Sequence, residues 1–535
     1  MANKLFVIGI GGTGMRCIES LIHLCAIGMF DNTEIHLLAL DTDANNGNFS
    51  RLKALKESYV KAKGLDITNQ VALKDTFFSA AIKYYEFCPD YQKNSSFKLV
   101  FNYDKIQYSN REMTDLADLV LTEDVEEFNL RHGYRAQTHL GSMMMYHSII
   151  EAAKSQKKND LQDFLHQLTV ASQNGSPRVF ILGSVFGGTG ASSIPIIPKA
   201  LSKGAEILNG GAVNVLKSAY FGSTLLTGYF NFKEPSENEI KKQRIIATSS
   251  RFALNSQVAM MFYDDDTTVK STYQKFYMLG TEGTSWNPMQ KNNDANAATI
   301  TGGQSQENDS HYIELMAACA VLDFYNESES ELKMNKDNMT TDYLYRSINE
   351  NGKFDFSDFV GINRAQEFAK KFGLLIAFAL FNNGSDNILE GLRSGLLKIE
   401  GFNNLDITQI EYVTKYFNLF YASKDDSGNL KEGWLKQIHR SAGMGDNLLF
   451  NASLFAPNNF KELMNLDWNK KIYRNEGIGK DHSYSKFMNS KFNDFKKEFI
   501  RTISSESKAV EISNPTERVY KLIYDTLSKL YKFNN

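Results

Sequence analysis

The 535-residue sequence holds only four cysteines, Cys17, Cys25, Cys88 and Cys319, with no C-x-x-C pair and no histidine spacing suited to zinc. A disulfide-stapled scaffold and a zinc module are thereby excluded, and the thiols read as free and buried in a reducing compartment. An excess of either charge is also missing. With 59 Lys and Arg against 62 Asp and Glu, the net charge of −3 makes no case for direct nucleic-acid binding. Long apolar runs are absent too: the longest in the C-terminal half, Gly373 to Phe381, is about half of a membrane span. The apolar run Leu5 to Ile10 is too short for a signal peptide and leads straight into a glycine loop. No G-x-x-x-x-G-K-[ST] occurs, so no P-loop lysine is available to neutralise phosphate. These absences, and the lack of internal repeats, predict a cytoplasmic globular protein of two or three domains.

What the chain does have is two short glycine-rich loops, each at the end of an apolar run and at the mouth of a helical pattern. Gly11-Gly12-Thr13-Gly14 follows Lys4 to Ile10 and opens into Met15 to Ile22. Gly187-Gly188-Thr189-Gly190-Ala191-Ser192-Ser193 follows Val179 to Ser184 and leads into Ile194-Pro195-Ile196-Ile197, where the proline suits a first helical turn. One such loop can be merely a tight bend. Two with the same Gly-Gly-Thr-Gly core predict a polyphosphate held from two sides, because glycine lets backbone N–H groups approach an anion at a helix N-terminus.

The segments between the loops carry a family resemblance. After the apolar run Ile35 to Leu40 comes Asp41-Thr42-Asp43-Ala44, where FtsZ proteins have N-T-D-A at the equivalent strand end. Gly133-Tyr134-Arg135-Ala136-Gln137-Thr138-His139-Leu140-Gly141 is similar to the FtsZ pattern G-x-G-A-N-x-x-x-G, which closes over the terminal phosphate. The second glycine loop resembles the G-G-G-T-G-[TS]-G signature of tubulin and FtsZ, with Phe186 at its first glycine and Ala191 and Ser192 at its last positions. Residues 1–330 therefore resemble the nucleotide-binding domain of the tubulin/FtsZ superfamily, in a divergent prokaryotic branch.

That resemblance implies an α/β fold with a mainly parallel sheet flanked by helices, and GTP or GDP as ligand. Phosphate contacts fall on Gly11, Gly12, Thr13, Gly14, Ala136, Gln137, Gly187, Gly188, Thr189, Gly190 and Ala191, with Asp43 and Thr189 helping to hold Mg2+. Arg16 stands where FtsZ has a base-contacting Asn and can donate to guanine O6 and N7. At the helical pattern His311 to Phe324, which takes the place of the family's central helix, Tyr312 or His311 can stack on the base. Glu314 can accept from guanine N1 and N2, unless it is an ordinary helix residue.

Within residues 1–330, a helical insertion over about 48–130 is expected near the nucleotide rim as a lid or partner-binding element, with Ser50 to Lys56 and Phe77 to Ile82 as helices. Glu237 to Phe262 reads as one long helix, Lys275 to Gly280 as a strand and 287–310 as a polar loop. Residues 331–535 read as a mainly helical C-terminal domain, as in Arg364 to Phe372 and Arg518 to Tyr524.

FtsZ draws its water-activating acids from a D-F-A-D-like motif after the central helix and uses them on a neighbouring subunit. The matching residues here are Asp355-Phe356-Ser357-Asp358-Phe359, giving Asp355 and Asp358 as candidate catalytic acids. The bland alternative is a helix start, with an aspartate capping the helix of Arg364 and two phenylalanines packing in the core. Three functions remain open. One is a GTPase that assembles with itself or with operon partners; another is a non-hydrolysing GTP-bound scaffold or switch in a multi-protein complex. The third reads I-G-I-G-G-T-G with Asp41 and Asp43 as the dinucleotide site of an oxidoreductase.

Overall fold

A computed structural model describes residues 4–31, 33–64, 74–91, 93–230, 234, 236–238, 248–281, 308–348, 356–382, 388–393, 407–424, 430–442, 501–503, 505 and 515–530. Strand β1 (Lys4–Ile10) runs directly into helix α1 (Gly11–Ala26), and β2 (Glu34–Leu40) leads through a short loop to helix α2 (Gly47–Lys63). Strands β3 (Ala81–Phe87), β4 (Arg178–Leu182), β5 (Tyr220–Leu226), β6 (Tyr273–Thr281) and β7 (Asp342–Ile348) complete one seven-stranded sheet. Its order is β3-β2-β1-β4-β5-β6-β7, and every pairing is parallel.

Parallel strands covered on both faces must be apolar on both, and the inner strands obey this in period two. Leu5, Val7, Ile35, Leu37, Phe180 and Leu182 point into one core, while Phe6, Ile8, Leu38, Val179 and Ile181 point into the other. The first core is roofed by α1, α2 and the central helix Tyr312–Asn326, the second by helices Thr138–Lys154, Asp160–Asn174 and Ile197–Leu208. The fold is thus α/β, with helices on both faces of a parallel sheet and a helical C-terminal region.

The C-terminal helices Ile362–Phe381, Ile407–Phe420, Trp434–Ala442 and Pro515–Leu530 share the first core with α1 and α2. Phe77 stacks on Phe378 at 5.2 Å, Phe78 meets Tyr416 and Tyr520 at 5.0 Å, and the Lys371 ammonium donates to the Gly28 carbonyl at 2.6 Å. The boundary expected at 330 falls inside the sheet, because β7 pairs with β6. The apolar stretch from Gly373 is core: no described helix is long and apolar enough to cross a membrane.

Three local expectations are corrected. Phe77 to Ile82 is not a helix; it is the lead-in to edge strand β3, and two buried aromatics with Phe78 at φ +53° anchor the entry. Glu237 to Phe262 is not one continuous helix. Thr248 is extended, a 3-10 turn covers Ser249–Arg251, and the helix proper is Phe252–Asp265. Pro195 lies between helix Gly188–Ser193 and the next helix, because proline has no N–H to continue the first. Pro198 takes the first-turn position instead. The expected insertion does contain α2 and the helices Phe97–Val100, Tyr103–Ser109, Arg111–Val120 and Glu123–Glu127, with β3 among them. The 287–310 loop lies outside the described residues except for its last three.

Candidate phosphate-binding site

In an open α/β sheet, ligands bind beyond the C-terminal strand ends where the strand order reverses. That point lies between β1 and β4, and both glycine loops are there. Gly11 takes φ +67°, which turns the chain from β1 into α1 without the strain a side chain would add. Gly14 is a packing glycine: a Cβ there would lie 2.6 Å from the Gly9 carbonyl carbon and the Leu182 oxygen. It lets α1 lie directly on β1 and β4.

The second loop approaches the first and the Gly133 segment together. A Cβ on Gly11 would meet Thr189 at 3.7 Å, and one on Gly133 would lie 3.8 Å from the Thr189 hydroxyl and 3.9 Å from that of Thr42. Gly188 lies flush on the Gly133 segment, where a Cβ would lie 2.6 Å from the Ala136 nitrogen and 2.8 Å from that of Arg135. This segment is in the left-handed region at Gly133, Arg135 and Ala136, φ +89°, +45° and +64°. Non-glycine residues held there cost on the order of 1–3 kcal/mol each and cluster at functional sites.

Three helices begin around this point: α1, Gly188–Ser193, and Thr138–Lys154 with Gln137 as its N-cap residue. None has a side-chain cap, and none has an acidic residue in its first turn. Helices begun elsewhere by Asn159, Asp266, Ser328 and His311 have caps, and those begun by Asn102, Asn110, Thr122, Ile196, Arg251 and Gly361 do not, so it is the convergence of three uncapped starts that sets this point apart. Uncapped N-termini leave N–H groups with partial positive charge, and so suit an anion.

At the end of β2, the Asp41 carboxylate accepts from the Thr42 amide at 2.7 Å and from the Asn46 side chain at 3.1 Å. Burial pushes its pKa up to about 7; nearby Asp43 adds to the shift, and these hydrogen bonds oppose it. Asn46 caps α2, and the Asn48 amide nitrogen would meet a Gly12 Cβ at 2.9 Å. The strand end and the first glycine loop are thus in register through two asparagines that motif reading missed. Their one sequence signal is the capping pattern N-x-N. Asp43, 6% exposed, accepts from the Asn45 amide at 3.0 Å. With Thr42, Cys88, Asp90, Tyr91 and Arg131 it lines a cavity of about 410 Å³ at the ends of β2 and β3, to which neither glycine loop contributes. Among the described residues no three or more His, Cys, Asp or Glu side chains group as a metal site.

The base-contact candidates are closed on one another. Arg16 donates from Nε to Glu314 at 2.5 Å and from its other arm to the Tyr229 hydroxyl at 3.0 Å, while Tyr229 donates to Glu314 at 2.6 Å. The second Glu314 oxygen accepts from the His311 amide at 2.9 Å in a capping box. Glu314 is fully buried, so its carboxylate turns no face to solvent. Tyr229 has no sequence signal; only the chain crossing after β5 brings it here. Tyr312 is buried, with its ring 4.4 Å from that of His311. Ala191 is buried, and its carbonyl accepts from Tyr263 at 2.6 Å. Phe356 and Phe359 are buried in the core, as the bland alternative has it, but the capping aspartate it expects is not found: the helix of Arg364 starts from Gly361 without a side-chain cap, and Asp358 is exposed within helix Phe356–Val360. Asp355 lies outside the described residues.

No family model matches the sequence, and no curated protein matches it. Among solved structures the chain is similar to CetZ from Methanosaeta thermophila strain DSM 6194, with 12% identity and a TM-score of 0.28. The match covers 63% of this chain and 60% of that one, so it spans less than two thirds of CetZ.

Proposed function

We propose that the chain binds a guanine nucleotide with Mg2+, its phosphates lying between the Gly11–Gly14 loop, the Gly187–Gly190 loop and the Gly133–Gln137 segment. The observation that carries this reading is the meeting of three uncapped helix N-termini around Thr189. Each charge-assisted bond contributes about 1.5–3 kcal/mol, so three or four supply much of the roughly 8 kcal/mol of micromolar binding. Asp43 and Thr189 are the residues that would hold the cation, which offsets phosphate charge in a site without a P-loop lysine. Guanine preference rests on the motif resemblance to tubulin and FtsZ, as does assembly with copies of itself or with other proteins.

The strand order also suits a dinucleotide fold. The oxidoreductase reading needs an acid at the end of β2 to meet a ribose; Asp41 is 5% exposed with both oxygens engaged, which leaves only Asp43 of its two acids for that role. It also leaves the second loop without a role. Titration calorimetry with GTP, ATP and NADH in the presence of Mg2+ tests the proposal. Saturable binding of GTP ahead of the other two is expected; preference for NADH, or no binding of GTP, overturns it.

The burial of Phe356 and Phe359 gives the D-F-S-D-F motif a packing role, while the exposed Asp358 leaves both the scaffold and the hydrolysis readings open. A series of phosphate release against protein concentration separates the two. Turnover that rises with concentration and falls by about 10²-fold in Asp358→Asn supports a water-activating acid supplied at a subunit contact. Absence of turnover supports the scaffold.

A further inference from the structure

Helix Phe252–Asp265 is pinned on one side and, among the described residues, exposed on the other. Phe252, Ser256 and Tyr263 are buried; the Asn255 side-chain Nδ2 donates to the Phe186 carbonyl at 3.3 Å, and the Tyr263 hydroxyl donates to the Ala191 carbonyl at 2.6 Å. The helix therefore holds both ends of the second glycine loop. Its outer side carries Leu254, Val258, Met261 and Phe262, which are 58%, 58%, 59% and 51% exposed. At 3.6 residues per turn these four span an arc of about 100° opposite the buried side chains. Exposed apolar residues scattered singly need no account, but a stripe of four along one braced helix marks a docking face.

The charges at its ends say what docks there. Arg251 stands just before the stripe and Asp265 ends it; both are exposed and both fall on the same arc. Positions 251 and 265 are symmetric about 258, and so are 254 and 262. An antiparallel pair of these helices with a two-fold axis at Val258 sets Leu254 against the second copy's Phe262, Val258 against itself, and Arg251 against the second copy's Asp265. Leu254, Val258 and Phe262 each meet an apolar side chain and each charge its opposite, while Met261 lies at the edge of the face opposite the second copy's Asn255. A parallel pair would set like charges together.

We propose that this face is a two-fold self-docking surface, the occupant being a second copy of this chain. A closed two-fold contact differs from the head-to-tail contact of a filament. Because the same helix grips Phe186 and Ala191, docking and occupation of the second glycine loop influence each other reciprocally. That coupling alone rests on the nucleotide proposal; the surface itself does not.

The test is sedimentation velocity of the full chain without nucleotide across a range of concentrations. A lone helix pair is smaller than a standard interface, so a monomer–dimer equilibrium with Kd on the order of 10 μM is expected. Val258→Glu places two carboxylates on the axis and should weaken the dimer at least about 10-fold. Asp265→Arg should also weaken it, and the double variant Arg251→Asp with Asp265→Arg should restore it. Val258→Cys should form an intermolecular disulfide on mild oxidation. Circular dichroism and melting curves establish that each variant is folded. A monomer at every concentration, a dimer that Val258→Glu leaves intact, or a charge swap that fails to restore association overturns the proposal.

Discussion

Arg16 and Glu314 are 298 positions apart in the chain, yet their side chains meet at 2.5 Å between Nε and Oε1. Arg16 is 3% exposed and Glu314 0%. Burial works against the arginine's charge, but Glu314 and Tyr229 outweigh it, and its pKa stands above the ordinary value. The pair fastens the second turn of α1 to the N-terminus of the central helix.

Breaking that pair from the acid side should be severe. Glu314→Gln leaves a buried guanidinium without its counter-charge, and a loss of about 3–5 kcal/mol is expected. Tyr229→Phe removes the hydroxyl that accepts from Arg16 and donates to Glu314 but leaves the ion pair, and should cost less, about 1–3 kcal/mol. Denaturant unfolding of the two variants gives the comparison; equal losses would show that charge is not what the triad contributes.

Two glycines of the first loop should separate folding from binding. Gly14→Ala drives a Cβ into the Gly9 and Leu182 backbone and should destabilise the protein by about 1–3 kcal/mol or more. Gly12→Ala meets no backbone, only the Asn48 side-chain nitrogen at 2.9 Å and Arg16 at 3.6 Å, and should destabilise less than Gly14→Ala. The melting temperature of the Gly12 variant should stay closer to that of the parent while GTP affinity falls. A Gly12 variant with unchanged affinity would remove the first loop from the site.

Metal removal should weaken the nucleotide complex. With Asp43 and Thr189 as the cation's residues, chelation should lower GTP affinity by calorimetry, and Asp43→Asn should make the affinity insensitive to Mg2+. If chelation changes nothing, the phosphate charge is met by backbone dipoles alone.

His311 should make the central helix acid-sensitive. Its Nδ1 accepts the Ile313 amide at 3.2 Å, a cap that needs the nitrogen unprotonated, and burial followed by Arg16 pushes its pKa down to about 3. The unfolded histidine titrates near 6.5. Between those values the unfolded state binds more protons, so this contribution is fully present above about pH 6.5 and is lost as pH falls toward 3. His311→Asn keeps a capping side chain and should flatten that part of the stability profile. A parallel loss of melting temperature in both proteins below pH 6 would assign the acid sensitivity elsewhere.

Strands β1, β2, β4 and β6 and helix Tyr312–Asn326 were legible because each is a long apolar run with one period. β3 was not: Phe77 to Ile82 is too short to separate a helix from an edge strand, and its partner β2 lies some forty residues earlier. The glycine loops could be located by type and spacing. Asn46 and Asn48 were overlooked because asparagine at a helix start reads as an ordinary cap, and Tyr229 because nothing near it in the chain marks it.

By itself the sequence determined the α/β class, the two glycine loops and their place at strand ends, since local periodicity and the steric freedom of glycine act over a few residues. Only the tertiary structure decided which loops face one another. It also closed Glu314 onto Arg16 and merged the C-terminal helices into the core of the sheet. Those outcomes depend on strand order and on the sharing of one apolar interior by segments hundreds of residues apart, and no local pattern encodes either.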